Sequence, residues 1–470
     1  MVTDEEPLTI SEAALLIRSG ELTPSELLEQ CLSRIDRYEP SVKAWVYLDR
    51  ERSRRDAERL TEELKNGTNR GPLHGIPIGI KDIIDVYDMP TGCGSKAWAN
   101  SYARQDATCV ERLRQAGAII PGKTVTTAYA YIDPPITRNP WNLERTPGGS
   151  SSGSAAAVAC GMCLAALGTQ TGGSITRPAS YCGIYSLKPT YSRVSVRGVL
   201  PLASSLDHVG VLGNCVRDLA VVFQVIAGYD PGYAASSQRS VPECVLRIDE
   251  FLTRKTVSQK NSLSRPGFQI PTTFFYNHIS STIANFFTSF HRDLLSLASS
   301  DAVIKEISLP PIFANIHRLH RSIMAVEAAE NHGSRLQRHP DDYPLRIRDL
   351  VQEGQTISAS DYREARVLRD DLDNQFCNLP TIEPLVMPAT LDAAPPPDTT
   401  GNPWCNSPWS FLGVPTVSIP LGWSDGGLPL AVQFIGAEWR EDSLLVQAAA
   451  VESAFRNDNA FQPRGLPPVL

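Results

Sequence analysis

This 470-residue chain predicts an α/β fold on three observations. Strand and helix signals alternate as far as Ile226, the pattern of a sheet with helices packed on it. Two later apolar segments, Val414–Leu421 and Leu428–Ile435, read as strands joined through Asp425-Gly426-Gly427, a hairpin signal that makes the sheet mixed. A hydrophobic content of 42% beside 20% charged residues suits a globular protein with a substantial core.

The chain opens with two capping-box patterns, Thr9-Ile10-Ser11-Glu12 and Thr23-Pro24-Ser25-Glu26. Each starts an amphipathic helix, the second running to about Tyr38. In Gly75–Asp82 the residues Ile76, Ile78 and Ile80 alternate, which predicts a strand with Lys81 at its end. Gly117–Thr124 formally matches the phosphate-loop pattern G-x-x-x-x-G-K-T. A phosphate cradle needs successive backbone N–H groups, and Pro121 has none. Ala118–Ile120 reads instead as a buried strand. Arg138–Pro147, rich in Pro, Asn and charge, reads as a loop. An alanine-rich helix starts near Ser154, Leu164–Leu167 suits a buried strand, and Ile175–Tyr181 opens a helix. Gly228–Phe268 is polar and irregular. Phe274–Leu297 and Asn315–Phe376 read as mostly helical, Pro395–Pro403 as a loop, and Asp442 as the cap of a final helix to Phe455.

Composition narrows the function. A net charge of −7, a pI of about 5.7 and no basic patch argue against nucleic acid as a partner. The acidic stretch Met1–Leu8 lacks the basic and apolar regions of a secretory signal. No run reaches the roughly 18 apolar residues that span a bilayer, so no membrane partner is expected. The 10 Cys are scattered, and Cys160-x-x-Cys163 falls in an expected buried helix without a second pair. Reduced packing thiols and a cytoplasmic location follow. His317 and His320 form an H-x-x-H pair with no third ligand type nearby, so packing roles are expected and no metal site.

The chemistry concentrates in Gly168–Gly183, Gly-Thr-Gln-Thr-Gly-Gly-Ser-Ile-Thr-Arg-Pro-Ala-Ser-Tyr-Cys-Gly. The pair Gly172-Gly173 lets the backbone turn tightly with its N–H groups exposed, and Ser174 sits where that turn meets a helix. A hydroxyl beside several donors is what acyl transfer requires. That local signal suggests a serine hydrolase without identifying its base, since no histidine lies in a triad signature. Upstream, Thr146–Val158 is a second serine-rich segment. Its Gly149-Ser150-Ser151-Ser152-Gly153 matches G-x-S-x-G, but a nucleophile elbow needs a strand directly before it, and here a loop precedes.

Taken together and in this order, Gly75–Asp82, Thr146–Val158 and Gly168–Gly183 resemble the amidase signature family, with similarity from about Thr9 to Ala454. The resemblance implies a catalytic lysine at Lys81, a serine at Ser150 in a cis peptide after Gly149, and a nucleophile at Ser174. It implies an oxyanion hole from the backbone N–H groups of Thr171, Gly172, Gly173 and Ser174. It also implies one domain over 1–470 around a mostly parallel mixed sheet of ten or eleven strands, wrapped by helices. Residues 75–215 would form its core, 228–380 a helical variable region, and 381–455 the strands and helix that complete the sheet. By analogy the pocket is walled by the loop after Lys81, by Ala128–Ile132, by helices near Ile323 and by Pro403–Phe411. Tyr129, Ile132, Ser151, Trp404 and Trp409 are the expected substrate contacts.

The residue types suit that chemistry. A free lysine titrates near 10.4, and burial lowers this by penalising the ammonium. A neutral Lys81 accepts a proton from Ser150, and Ser150 accepts one from Ser174. The implied substrate is a small-molecule amide or carbamate, with an ester also allowed. No cofactor and no metal are implied, and a homodimer is left open. Departures from the family pattern are Gln170 where aspartate is frequent, Ser152-Gly153 for a glycine pair, Ser186 and Ser192 for glycines, and Ala128-Tyr129 where an acid is frequent. Gln170 and Ala128-Tyr129 favour a stand-alone amidase over the A subunit of a glutamyl-tRNA-type amidotransferase. Intact Lys81, Ser150 and Ser174 argue against a binding protein on an inactive scaffold.

Overall fold

The computed structural model describes residues 7–258, 267–272, 274–297, 304–377, 383–457 and 465–468. The acidic start at Met1–Glu6 and residues 259–266 of the segment expected to be irregular lie outside them. Both capping boxes form. Thr9 Oγ1 accepts the Glu12 N–H at 3.2 Å while Glu12 takes the Thr9 N–H at 2.8 Å, and Thr23 and Glu26 repeat this at the same distances. The helices they start span Ile10–Ser19 and Pro24–Val42.

Eleven strands form one sheet. They are β1 (Trp45–Leu48), β2 (Ile78–Lys81), β3 (Gly122–Thr124), β4 (Ala165–Gln170), β5 (Tyr185–Lys188), β6 (His208–Gly213), β7 (Phe268–Pro271), β8 (Ile304–Ile307), β9 (Leu385–Pro388), β10 (Thr416–Trp423) and β11 (Pro429–Ile435). Their order is β1-β3-β2-β4-β6-β5-β10-β11-β9-β7-β8. The fold is a single large α/β domain, with fourteen α-helices among the described residues. The expectation of a mostly parallel sheet is corrected: four pairings are parallel and six antiparallel. The reason is local at β10–β11, where the turn between Trp423 and Pro429 is too short for a crossover and reverses the chain.

What matters for the site is the centre. β2 and β4 run parallel as neighbours, Ile80 opposite Leu167. Their carboxyl ends therefore open at the same edge of the sheet, where α/β folds place ligands. Lys81 ends β2 and Gln170 ends β4, so the glycine-rich turn emerges beside the lysine. Both strands are buried along their whole length.

Several local expectations change. The alanine-rich helix begins at Ser152 and ends at Ala159; Cys160 caps it and Cys163 lies beyond it, so the C-x-x-C is not helical. The strand near the apparent phosphate loop is Gly122–Thr124, with Ala118–Ile120 contributing a single bridge from Ile119 to Pro77. A helix, Cys244–Ser258, occupies part of the segment read as irregular. The last helix starts at Glu441, which places Asp442 in its first turn and not at its cap. Nine free cysteines are buried among the described residues, and no helix there is long and apolar enough to cross a membrane.

Candidate active site

Lys81 has no solvent exposure. Its Nζ donates to Ser150 Oγ at 2.7 Å and to Thr169 Oγ1 at 2.7 Å. Burial holds the ammonium well below its ordinary value, with the Asp207 charge opposing in part. Ser150 follows a cis Gly149–Ser150 peptide. Its carbonyl accepts the Thr127 N–H at 3.2 Å, and the Gly149 carbonyl accepts Arg177 Nη2 at 2.7 Å. Gly148 before it has φ +81°, and a Cβ there would lie 2.8 Å from Pro178 Cα, so a side chain is excluded twice over.

Ser174 is nearly buried and faces a cavity of about 260 Å³. The Ser151 N–H donates to the Ser174 carbonyl at 3.3 Å, which joins the two serine-bearing segments directly. Thr171, Gly172 and Gly173 line the same cavity. Among the described residues the N–H groups of Thr171, Gly172, Gly173 and Ser174 donate to no acceptor. A Cβ on Gly173 would meet Asn406 Oδ1 at 2.7 Å, so only glycine lets this backbone approach. The helix that follows, Thr176–Cys182, is a short seven residues.

The turn is held from four sides. Gln170 Oε1 accepts the N–H groups of Ile175 at 2.8 Å and Thr176 at 3.0 Å. Gln170 Nε2 donates to Ser410 Oγ at 3.0 Å, and Ser410 donates onward to the Gly172 carbonyl at 2.9 Å. Thr171 Oγ1 donates to Asp207 at 2.5 Å, and the other Asp207 oxygen accepts the Leu202 and Ala203 N–H groups at 2.8 and 3.0 Å. Burial raises Asp207 to about 7 against these donors. His320 Nε2 donates to the Thr171 carbonyl at 2.9 Å, and burial lowers its imidazole to about 4, so it is neutral at pH 7.

Of the expected substrate contacts, Ile132 and Trp404 line the cavity. Tyr129, Ser151 and Trp409 do not, and are corrected. The backbone at Tyr129 is left-handed, φ +51°, and its ring stacks on Tyr343 at 4.2 Å with the hydroxyl on Asp342. Ser151 clasps β4 through the Thr169 N–H and carbonyl, both at 3.2 Å. Trp409 is core, against Phe376 at 5.7 Å. The Ala130–Ile132 turn, Met324 and Pro403 line this cavity. The loop after Lys81 does not: Asp82, Pro90 and Gly92 line a separate, larger cavity of about 640 Å³ that does not touch Ser174. Ser174 and the turn with the free donors line the smaller of the two.

Sequence reasoning missed Thr169, Asp207, Ser410, His320 and Arg177, which surround the turn, and His317, which stacks on Trp404 at 3.7 Å. Thr169 and Arg177 were within reach, being in the quoted glycine-rich stretch. Asp207 and Ser410 join from distant segments and leave no local signal, whereas His317 and His320 stand out as an H-x-x-H pair that reads as packing. No group of three His, Cys, Asp or Glu is placed to hold a metal among the described residues.

Residues 26–445 match the family model described as Amidase. The A subunit of glutamyl-tRNA(Gln) amidotransferase from Roseiflexus sp. (strain RS-1) is 32% identical, over 93% of this chain and 94% of that one. A putative amidase, AmiD, of Mycobacterium tuberculosis (strain ATCC 25618 / H37Rv) is 32% identical, over 98% and 96%. The native peptide amidase of Stenotrophomonas maltophilia superposes with a TM-score of 0.82 at 27% identity, over 98% and 99%. With most of its length matched by that model, the chain belongs to the Amidase family.

Proposed function

We propose that this chain cleaves the C–N bond of a small-molecule amide through Ser174, with Ser150 and Lys81 as the proton relay. The observation that carries the reading is the environment of Lys81: fully buried, hydrogen-bonded to two hydroxyls, one of them Ser150. A neutral amine there takes the Ser150 proton as Ser150 takes that of Ser174. Ser174 Oγ attacks the carbonyl carbon. The oxyanion accepts hydrogen bonds from the free N–H groups of the Gly172-Gly173 turn, a donor of this kind being worth about 3–4 kcal/mol. The relay returns its proton to the leaving nitrogen, an acyl-Ser174 ester remains, and water cleaves it by the reverse transfers. Carbamates and esters pass through the same oxyanion.

The test is labelling with a fluorophosphonate probe followed by peptide mass spectrometry. The adduct is expected on Ser174 and absent from Ser174→Ala; an adduct on the alanine variant would sink the assignment. Relatives named as amidotransferase A subunits favour a second reading, in which the chain works with a partner subunit. Co-purification of a second chain together with glutamine hydrolysis would select it.

A further inference from the structure

The larger cavity, of about 640 Å³, has no part in the chemistry proposed for Ser174. Its size falls within the roughly 300–1,000 Å³ of small-molecule sites. Val46, Tyr102 and Ile136 stand at its rim, each more than half exposed. Large apolar side chains left in water together, and not scattered singly, mark a place where something binds. Its floor is buried at Asp82, Thr126 and Thr127. A cavity that runs from an apolar rim down to the core suits a molecule that enters it better than a flat partner surface.

The walls indicate the kind of molecule. Tyr47 and Tyr102, with Pro134, Pro135 and Pro344, offer flat apolar faces. The polar groups are already satisfied. Asp82 accepts the Gly92 N–H at 3.1 Å and has Lys123 at 3.3 Å. Asp133 accepts the N–H groups of Arg346 and Ile347, both at 3.1 Å. Thr126 Oγ1 donates to the Thr127 carbonyl at 3.1 Å. Among the described residues, no buried polar side-chain atom of this lining lacks a partner. Lys96 is exposed at the mouth, where water solvates it. A charged ligand would lose its own hydration here with no counter-charge in the floor.

The two cavities share a wall. Residues 125–128 line the large one and residues 130–132 the small one. At the junction Tyr129 and Ala130 both have a left-handed backbone, φ +51° and +59°, and Cys93, which accepts the Tyr129 N–H at 2.9 Å, has φ +55°. Side chains rarely adopt this conformation, and such strain gathers at ligand clamps and switches. Thr127 connects the two sides: its hydroxyl donates to the Tyr131 carbonyl at 2.6 Å and its N–H to the Ser150 carbonyl at 3.2 Å. Pressure on Thr127 therefore reaches both a wall of the Ser174 cavity and the Ser150 backbone.

We propose that the larger cavity binds an uncharged aromatic small molecule and that its occupancy alters the reactivity of Ser174, the second clause resting on the hydrolase reading above. The probe is N-phenyl-1-naphthylamine, uncharged at pH 7 and brighter in apolar surroundings. It is titrated into protein that already carries the fluorophosphonate adduct on Ser174, so that the small cavity is filled. Saturable enhancement is expected. Affinity is expected to fall about tenfold in Ile136→Glu and in Ala99→Trp, both at exposed positions of the lining, and to persist in Ile136→Val. In unlabelled protein, saturating probe is expected to change the labelling rate of Ser174 by about fivefold or more at every fluorophosphonate concentration, and Ala99→Trp to abolish that response. An effect that vanishes as fluorophosphonate is raised puts the probe in the small cavity and overturns the proposal. So does binding indifferent to both variants, or a labelling rate that the probe leaves unchanged. Light scattering that shows a dimer, dissociated by the same two variants, would assign the face to a second copy instead. Absence of any labelling overturns the hydrolase reading, and probe binding to the unlabelled chain then still tests the cavity.

Discussion

Two lysines on adjacent strands of this sheet are buried to the same degree and have opposite surroundings. Lys123 on β3 sits in register beside Ile80, one residue before Lys81 on β2, and both lysines have no exposure. Lys123 Nζ has the Asp82 carboxylate at 3.3 Å, the Pro90 carbonyl at 2.9 Å and Thr91 Oγ1 at 3.1 Å. Burial pulls its value down, but Asp82 pulls it back. Lys81 meets two hydroxyls, with Asp207 acting on it through charge and not through an ion pair. Burial alone does not make a base. A carboxylate in contact keeps an ammonium charged and structural, whereas hydroxyl partners give the neutral amine a proton to accept. The lysine in the apparent phosphate loop is thus the structural one.

The comparison is open to breakage. Lys81→Met should produce the largest effect, a loss of about 10²–10⁴-fold in kcat at neutral pH with the cooperative unfolding transition retained. In the wild-type protein kcat/KM should rise with pH as the Lys81 ammonium loses its proton, at a pH well below the ordinary lysine range, since only the amine accepts a proton. A variant with wild-type rates, or an unchanged acid limb, removes Lys81 as the base. Lys123→Met should instead destabilise the fold by about 3–5 kcal/mol in urea melts, because it strands Asp82, and Asp82→Leu added to it should recover much of that. If Lys123→Met cost rate without stability, the two lysines would have been assigned the wrong way round. The smallest effect is expected from Gln170→Glu. A carboxylate still accepts from Ile175 and Thr176 but draws the Ser410 hydroxyl away from Gly172, so the labelling rate should fall about tenfold, the worth of one hydrogen bond to the turn.

Gln170 also illustrates what the sequence left illegible. As a departure from aspartate it reads as lost support. In place, its amide does what a carboxylate does not: it accepts two N–H groups and donates to Ser410, passing a hydrogen bond to the turn. Tyr129 and Trp409 show the converse error. Both lie near in sequence to residues that line the Ser174 cavity, Ala130 and Trp404, yet Tyr129, on a left-handed backbone, stacks elsewhere and the aromatic core takes Trp409. The helix Cys244–Ser258 escaped notice because its apolar residues are interspersed with charged ones in a polar segment; it packs on the last helix.

The sequence by itself determined what needs only near neighbours: the two capped helices, the strand that ends at Lys81, the glycine turn before Ser174 and the hairpin at Asp425. Such features answer to backbone sterics and to hydrogen bonds a few residues long. The tertiary structure alone decided that Lys81 meets hydroxyls and Lys123 a carboxylate, and that Asp207, Ser410 and His320 hold the turn. Those outcomes depend on which distant segments share a dry interior, where each charge is governed by the groups that pack against it and not by the residues beside it in the chain.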